Sequence, residues 1–347
     1  MTPDAEYRRR VSTEHRVEPE TVSVVVPAYN AAATLGSSLA SILDQSHASL
    51  EVLVIDDGST DSTAEIIDRA VRSDHRVVAI GDGTNHGRSA ARNAGIDAAT
   101  GDWVAFVDAD DLLHRDRFAR LLEASRSVSG CRVVTDDRWG FTVGPDGTVA
   151  MQHRFPARHT WRLGGHQPLD VDRHFTDRFG HLDVMVERAA LLSVGARFPE
   201  DLEIGEDLAC YLTLLFTEPS LKPVRSAMGS YYYRLGQTSR GAGGADTWQL
   251  VIDRVVEQTG SAHLRALADR WQPVHSSLYE RADAALAAEG RLGERRIPPD
   301  PQVHANARAG FAWLVSVKAL QWAGRWQDRV HQPHAAADLA AQLARTV

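Results

Sequence analysis

Four short runs of apolar, mostly β-branched residues recur along the first third of the chain, and a stretch of helical periodicity or a helix-forming segment separates each from the next. That alternation leaves few folds open. The runs are Val22–Val26, Val52–Ile55, Val77–Ile80 and Trp103–Val107. Apart from Ser23, each is continuously apolar rather than alternating, the pattern of strands buried on both faces of a parallel sheet. Between them, Leu35, Leu39, Ile42 and Leu43 fall on one helical face, and Ile66, Ile67, Ala70 and Val71 on another. Ser62-Thr63-Ala64-Glu65 reads as a capping box opening the second helix. An Ala-rich third helix is expected over Arg88–Ala98. Strand and helix in repeated alternation predict a doubly wound α/β sheet. Ligands of such sheets bind beyond the carboxyl ends of the strands, so the residues directly after each run are the first candidates for chemistry.

After the first run comes Pro27-Ala28-Tyr29-Asn30, where proline ends the ladder and Asn opens a helix; a plain strand-to-helix turn explains it equally well. After the second comes Asp56-Asp57-Gly58-Ser59-Thr60-Asp61. Carboxylates there can accept hydrogen bonds from a base N–H or ribose hydroxyls, and the same residues are good turn and cap formers. Asn85-His86-Gly87-Arg88-Ser89-Ala90-Ala91-Arg92-Asn93-Ala94-Gly95 places Arg88 and Arg92 on one helical face. Such a face suits a diphosphate or is a solvated basic surface. The fourth run ends in Asp108-Ala109-Asp110-Asp111, three carboxylates whose crowding calls for a counter-charge. A hard divalent cation, Mg²⁺ or Mn²⁺, takes such oxygens and keeps positions for phosphate. An exposed acidic turn is the bland alternative. Further on, Gly205-Glu206-Asp207 precedes an apolar helix over Leu208–Phe216. Its acids either cap that helix or include a general base for an acceptor hydroxyl.

Composition narrows the partners. The 347 residues carry a net charge of −8, which counts against a nucleic-acid partner. Cys131 and Cys210 make no disulfide framework or zinc spacing, and read as reduced core residues. No leader-like or membrane-spanning apolar run stands in the sequence, so a cytoplasmic protein is expected, with peripheral contact at the inner membrane face as the variant reading. The first strand lacks a Gly-x-Gly-x-x-Gly turn, against a dinucleotide-dependent oxidoreductase.

In this order and spacing the motifs resemble those of the family 2 inverting glycosyltransferases, over roughly Val22–Arg234. The anchors are Pro-x-Tyr-Asn at 27–30, Asp-Asp-Gly-Ser-Thr-Asp at 56–61, Gly-x-x-x-Ala-Arg-Asn-x-Gly at 87–95, Asp-Ala-Asp-Asp at 108–111 and Gly-Glu-Asp at 205–207. The resemblance implies a GT-A type α/β domain with a mostly parallel sheet at 21–235. Its nucleotide-sugar half would span about 21–115 and its acceptor half about 116–235. A polar tail would cover 1–20 and a helical C-terminal region 246–347.

It implies donor contacts from Pro27, Ala28, Tyr29, Asp57, Arg88, Arg92, Asp108 and Ala109, with Ala28, Tyr29 and Asp57 lining the base pocket. It implies a Mn²⁺ or Mg²⁺ ion on Asp110 and Asp108, and Asp207 as base with Glu206 as the second choice. Tyr231-Tyr232-Tyr233-Arg234 resembles a late strand of the family. Acceptor contacts are expected from Trp139, Trp161 and His181. The implied donor is a nucleoside-diphosphate sugar, a UDP-sugar first. The acceptor is a saccharide, a lipid-linked intermediate or a small molecule. A non-catalytic nucleotide-sugar-binding protein of the same fold, or a nucleotidyltransferase, is the alternative, although the Gly-rich basic loop of the latter is missing after strand one. The C-terminal aromatics Phe311, Trp313, Trp322 and Trp326 are expected in a helical subdomain on the catalytic domain or in a homodimer contact, with a membrane-surface helix as the competing reading.

Overall fold

The computed structural model describes residues 19–136, 138–144, 149–155, 166–172, 183–226, 230–235 and 245–270. The first part follows the alternation: β1 (Val22–Ala28), α1 (Leu35–Leu43), β2 (Leu50–Asp56), α2 (Thr63–Ser73), β3 (Val77–Ile80), α3 (Arg88–Ala98) and β4 (Trp103–Phe106). The second part is more broken: β5 (Leu112–Leu113), α4 (Arg117–Arg126), β6 (Val133–Thr135), β7 (Arg138–Val143), β8 (Val149–Phe155) and β9 (Gln167–Pro168). It continues through β10 (Val184–Glu187), α5 (Arg188–Val194), α6 (Glu206–Thr217), β11 (Val224–Arg225), β12 (Tyr231–Arg234) and α7 (Ala245–Thr259).

The main sheet has the strand order β3-β2-β1-β4-β10-β6-β11-β9. β10 runs antiparallel to both β4 and β6, β9 runs antiparallel to β11, and every other pair is parallel. The sheet is therefore mostly parallel, as expected. β1 lies inside it and is buried on both faces. Val22, Val24 and Val26 pack under Leu35, Leu39 and Ile42 of α1. Val25 points the other way, into a cluster with Ala91 and Ile96 of α3 and Leu214 of α6.

α3 rests directly on β1, because a Cβ at Gly95 would come within 2.2 Å of Val25 Cγ1. Gly95→Ala is accordingly expected to lower stability by about 1–3 kcal/mol, the usual cost of overpacking. Chemical denaturation should read this as a lower midpoint at unchanged slope.

The start of α2 departs from the expected capping box. Ser62 makes no side-chain cap, since its backbone (φ −76°, ψ 17°) is near-helical rather than extended. Asp61 caps instead, its Oδ1 accepting the Thr63 N–H at 3.0 Å.

A second sheet, β5-β12-β7-β8, stands beside the first. Its core is Leu112, Trp139, Phe141 and Tyr232. Trp139, expected at the acceptor face, is 4% exposed, and its ring fills this core instead. The described part of the expected helical C-terminal region, residues 245–270, packs on the domain. Val251, Ile252 and Val255 of α7, with Leu264 and Leu267 of a helix over 262–270, pack on Leu208 and Leu212 of α6. Cys131 and Cys210 are both free thiols, and burial raises them to about 11 and about 12. Among the described residues no helix is long and apolar enough to cross a membrane. Phe311, Trp313, Trp322 and Trp326 lie outside the described residues.

Candidate active site

The register of β1 against β2, Ala28 beside Asp56, brings the loops after both strands to one edge. These loops are stitched together. Asn30 adopts φ +49°, a region its short polar side chain tolerates. Its Oδ1 accepts the N–H groups of Thr60 (2.8 Å) and Asp61 (3.3 Å), and its own N–H donates to Ser59 Oγ at 3.0 Å. Gly58 takes φ +73°, and a Cβ there would sit 2.6 Å from the Asn85 nitrogen. The segment before α3 thus closes on the second loop. Pro27 is half-buried and Ala28 buried, while the Tyr29 side chain beyond them is 51% exposed.

Asp57 is buried and its carboxylate spans the start of α3. Oδ1 accepts the His86 N–H at 2.7 Å and Oδ2 the Gly87 N–H at 3.0 Å. A helix N-terminus leaves such donors without internal partners, and a carboxylate satisfies them with favourable charge. Asp57 therefore sets where Arg88, the first residue of α3, begins.

One turn later Arg92 is buried. Its Nη2 donates to Asp108 Oδ1 at 2.7 Å and its Nη1 to Glu206 Oε1 at 2.9 Å. Burial works to lower its pKa, but the charges of Asp108 and Glu206 outweigh it and hold the guanidinium above its ordinary value. The same group lies 5.3 Å from the ring centroid of Phe198. Arg88 reaches Glu206 more loosely, at 3.5 Å. Next to Arg92, Asn93 clasps the backbone of Phe198, donating to its C=O and accepting its N–H, both at 2.9 Å. Phe198 also meets Phe106 of β4 edge-on, with centroids 4.9 Å apart. The loop leading to Gly205-Glu206-Asp207 is thereby anchored on α3 and β4.

The aspartates after β4 differ from one another. Asp108 faces Arg92. Asp110 is half-buried, and burial and then the charge of Asp108 push its carboxyl up. Asp111 is fully buried, where Oδ2 accepts the Tyr231 hydroxyl (2.7 Å) and Oδ1 the Arg234 N–H (2.8 Å). Burial, then the charges of Asp110 and Asp108, raise it well above the usual carboxylate range. Tyr231 also accepts the Asp108 N–H at 3.3 Å. Arg234 Nε donates to the Asp110 carbonyl at 2.9 Å. Behind them, Arg117 pairs with Asp136 at 3.0 Å, both fully buried, and its guanidinium lies 5.1 Å from the Tyr231 ring centroid.

Asp108 and Asp110 thus form a carboxylate pair with more negative charge than its surroundings neutralise, and hard oxygen donors of this kind fit a divalent cation. Among the described residues no group of three His, Cys, Asp or Glu side chains is placed to hold an ion unaided. Asp207 is half-buried at the first turn of α6, its Oδ1 accepting the Leu208 N–H at 2.7 Å.

The structure brings together Asp57, Arg88, Arg92, Asp108, Ala109, Asp110, Glu206 and Asp207. Trp161 and His181 lie outside the described residues. Sequence reasoning assigned no role to Asn93, Phe198 or Asp111. Asn93 and Asp111 do stand inside the motifs at 87–95 and 108–111, and that membership was the signal available for them.

The glycosyl transferase family 2 model matches residues 23–176. A glycosyltransferase of Haemophilus influenzae is 41% identical over 101 residues, covering 29% of this chain and 40% of that protein. The succinoglycan biosynthesis protein ExoO of Rhizobium meliloti is 33% identical over 225 residues, covering 63% of this chain and 62% of ExoO. The chain therefore spans less than two thirds of the length of either relative. Among solved structures, S. aureus TarS in complex with UDP-GlcNAc superposes with a TM-score of 0.63 at 18% identity, covering 78% of each chain.

Proposed function

Since residues 23–176 are a glycosyl transferase family 2 domain, we propose that the protein is an inverting glycosyltransferase moving a sugar from a nucleoside-diphosphate sugar to an acceptor hydroxyl. The observation that carries this reading is the double grip of Arg92 on Asp108 and Glu206. It joins the aspartates after β4, suited to a divalent cation that would hold a donor diphosphate, to the turn that bears Asp207.

In this reading the exposed Tyr29 ring and the shelf at Pro27 and Ala28 receive the base, and Asp57 orders the loop that borders it. Arg88, partly exposed and only loosely paired, reaches the donor phosphates. Asp108 and Asp110 hold Mn²⁺ or Mg²⁺, which when bound neutralises charge on the departing diphosphate. Asp207 takes the proton of the acceptor hydroxyl as that oxygen attacks the anomeric carbon from the face opposite the nucleotide, so configuration inverts. Uracil is the favoured base, because TarS is seen with UDP-GlcNAc. A growing saccharide is the favoured acceptor, because ExoO is named for succinoglycan biosynthesis. The half-exposed Asp207 favours catalysis over a binding-only role.

The test is thermal denaturation with UDP, GDP, dTDP, CMP and NAD, each with and without Mn²⁺. A ligand bound only by the folded state at about 100 times its Kd adds roughly 2.7 kcal/mol. UDP is expected to stabilise the protein in a Mn²⁺-dependent way. Stabilisation by none of the nucleoside diphosphates would remove the donor site.

A further inference from the structure

The two acids that open α6 live in different surroundings. Glu206 is 4% exposed, and its Oε1 receives both Arg92 at 2.9 Å and Arg88 at 3.5 Å. Asp207 is half-buried and lies close enough for its charge to act on Arg92. Arg92 reaches from Glu206 to Asp108, which lies 16 residues away in sequence, whereas Glu206 lies 114 away. Guanidinium is planar, with its donors in a rigid fork, so one Arg bound at both ends fixes the separation of its two carboxylates. Phe198, held by Asn93 and stacked near Arg92, closes the third side.

We propose that Glu206 is a positioning residue: by holding Arg92 it locks the first turn of α6 against Asp108, and so sets where Asp207 stands relative to the donor. The inference rests on the transferase reading and assigns Glu206 a part other than proton transfer. A base needs its carboxylate turned to the acceptor, whereas Glu206 is buried under two arginines. The arginines themselves divide. The Arg92 side chain is 9% exposed and gripped at both ends, while that of Arg88 is 46% exposed and held by one long contact. Arg88 can therefore leave Glu206 for the donor phosphates while the Arg92 lock stays closed.

The test uses full-length Glu206→Gln, which keeps the shape and removes the charge. UDP release from UDP-GlcNAc, UDP-glucose and UDP-galactose is followed with Mn²⁺. Misplacing a catalytic group by about 1 Å can cost on the order of 100-fold, so kcat is expected to fall about 10- to 100-fold. The donor KM should stay within about threefold, and the acid limb of the rate–pH profile should stay where it is in the wild type. An unchanged kcat would overturn the lock. Loss of the acid limb would make Glu206 the base, and a raised KM at unchanged kcat would make it a donor ligand; either overturns it too.

A thermal cycle of Glu206→Gln, Arg92→Met and the double variant reads the lock without turnover. Contacting partners give non-additive changes. Coupled losses support the lock and additive losses overturn it. A wild-type protein that binds UDP but releases none from any donor would count against the transferase reading, and the thermal cycle would still judge the lock.

Discussion

Asp207→Asn is expected to lower kcat by about 10³-fold, within the 10²- to 10⁴-fold range of general base catalysis, while leaving UDP–Mn²⁺ binding within about threefold. The substitution keeps volume and the oxygen that caps Leu208 N–H, so the first turn of α6 stays in place. What it removes is the capacity to take a proton from the acceptor. The loss should appear in kcat rather than KM, because the interaction exists only as the hydroxyl attacks. Steady-state transfer with each donor, paired with calorimetric UDP binding, checks this. Wild-type turnover in Asp207→Asn would remove Asp207 as base.

Asp110→Asn is expected to abolish the Mn²⁺-dependent part of UDP stabilisation and to cost about 10³-fold or more in turnover, since a metal at the leaving group supplies several kcal/mol. The metal-free protein should respond in the opposite sense. Burial and Asp108 raise the folded-state pKa of Asp110, so its ionised form is disfavoured in the folded protein. An acid raised in this way has its full stability at low pH and loses stability as pH climbs through the ordinary carboxylate range and its raised folded value. Asn carries no charge to lose. The metal-free melting temperature of Asp110→Asn at neutral pH is therefore expected to equal or exceed that of the wild type. A variant that melts lower without metal, yet keeps its Mn²⁺ response, would show that Asp110 serves packing and not the ion. The pattern is a stability cost retained at a functional position.

Much of the first half was legible in the sequence. β1, β2 and β4 are buried on both faces, so short and largely apolar runs mark them without knowledge of their neighbours. Of the second sheet only β12 was legible, as the strand expected at Tyr231–Arg234. β5 has two residues, too few to show a pattern, and becomes a strand only because Leu112–Leu113 lies beside Tyr231–Tyr232. Trp139 shows the same limit. An aromatic in an irregular stretch reads as a contact on the surface, and pairing of β7 with β12 and β8 turned it inward. The capping box at Ser62 failed for a local reason, the near-helical backbone at that residue.

The sequence by itself determined the chemistry available: which carboxylates, arginines and aromatics follow each strand, and that three loops would gather at one edge of a parallel sheet. Side-chain period and strand burial are properties of a local window, and a local window is what a sequence displays. Only the tertiary structure decided which charges neutralise which. Arg88 and Arg92 share a helix face by spacing alone, but their common partner Glu206 arrives from more than a hundred residues away and is buried with Arg92. A buried ion pair is set by the distance and orientation of groups excluded from water, and those quantities come into being when the chain has folded.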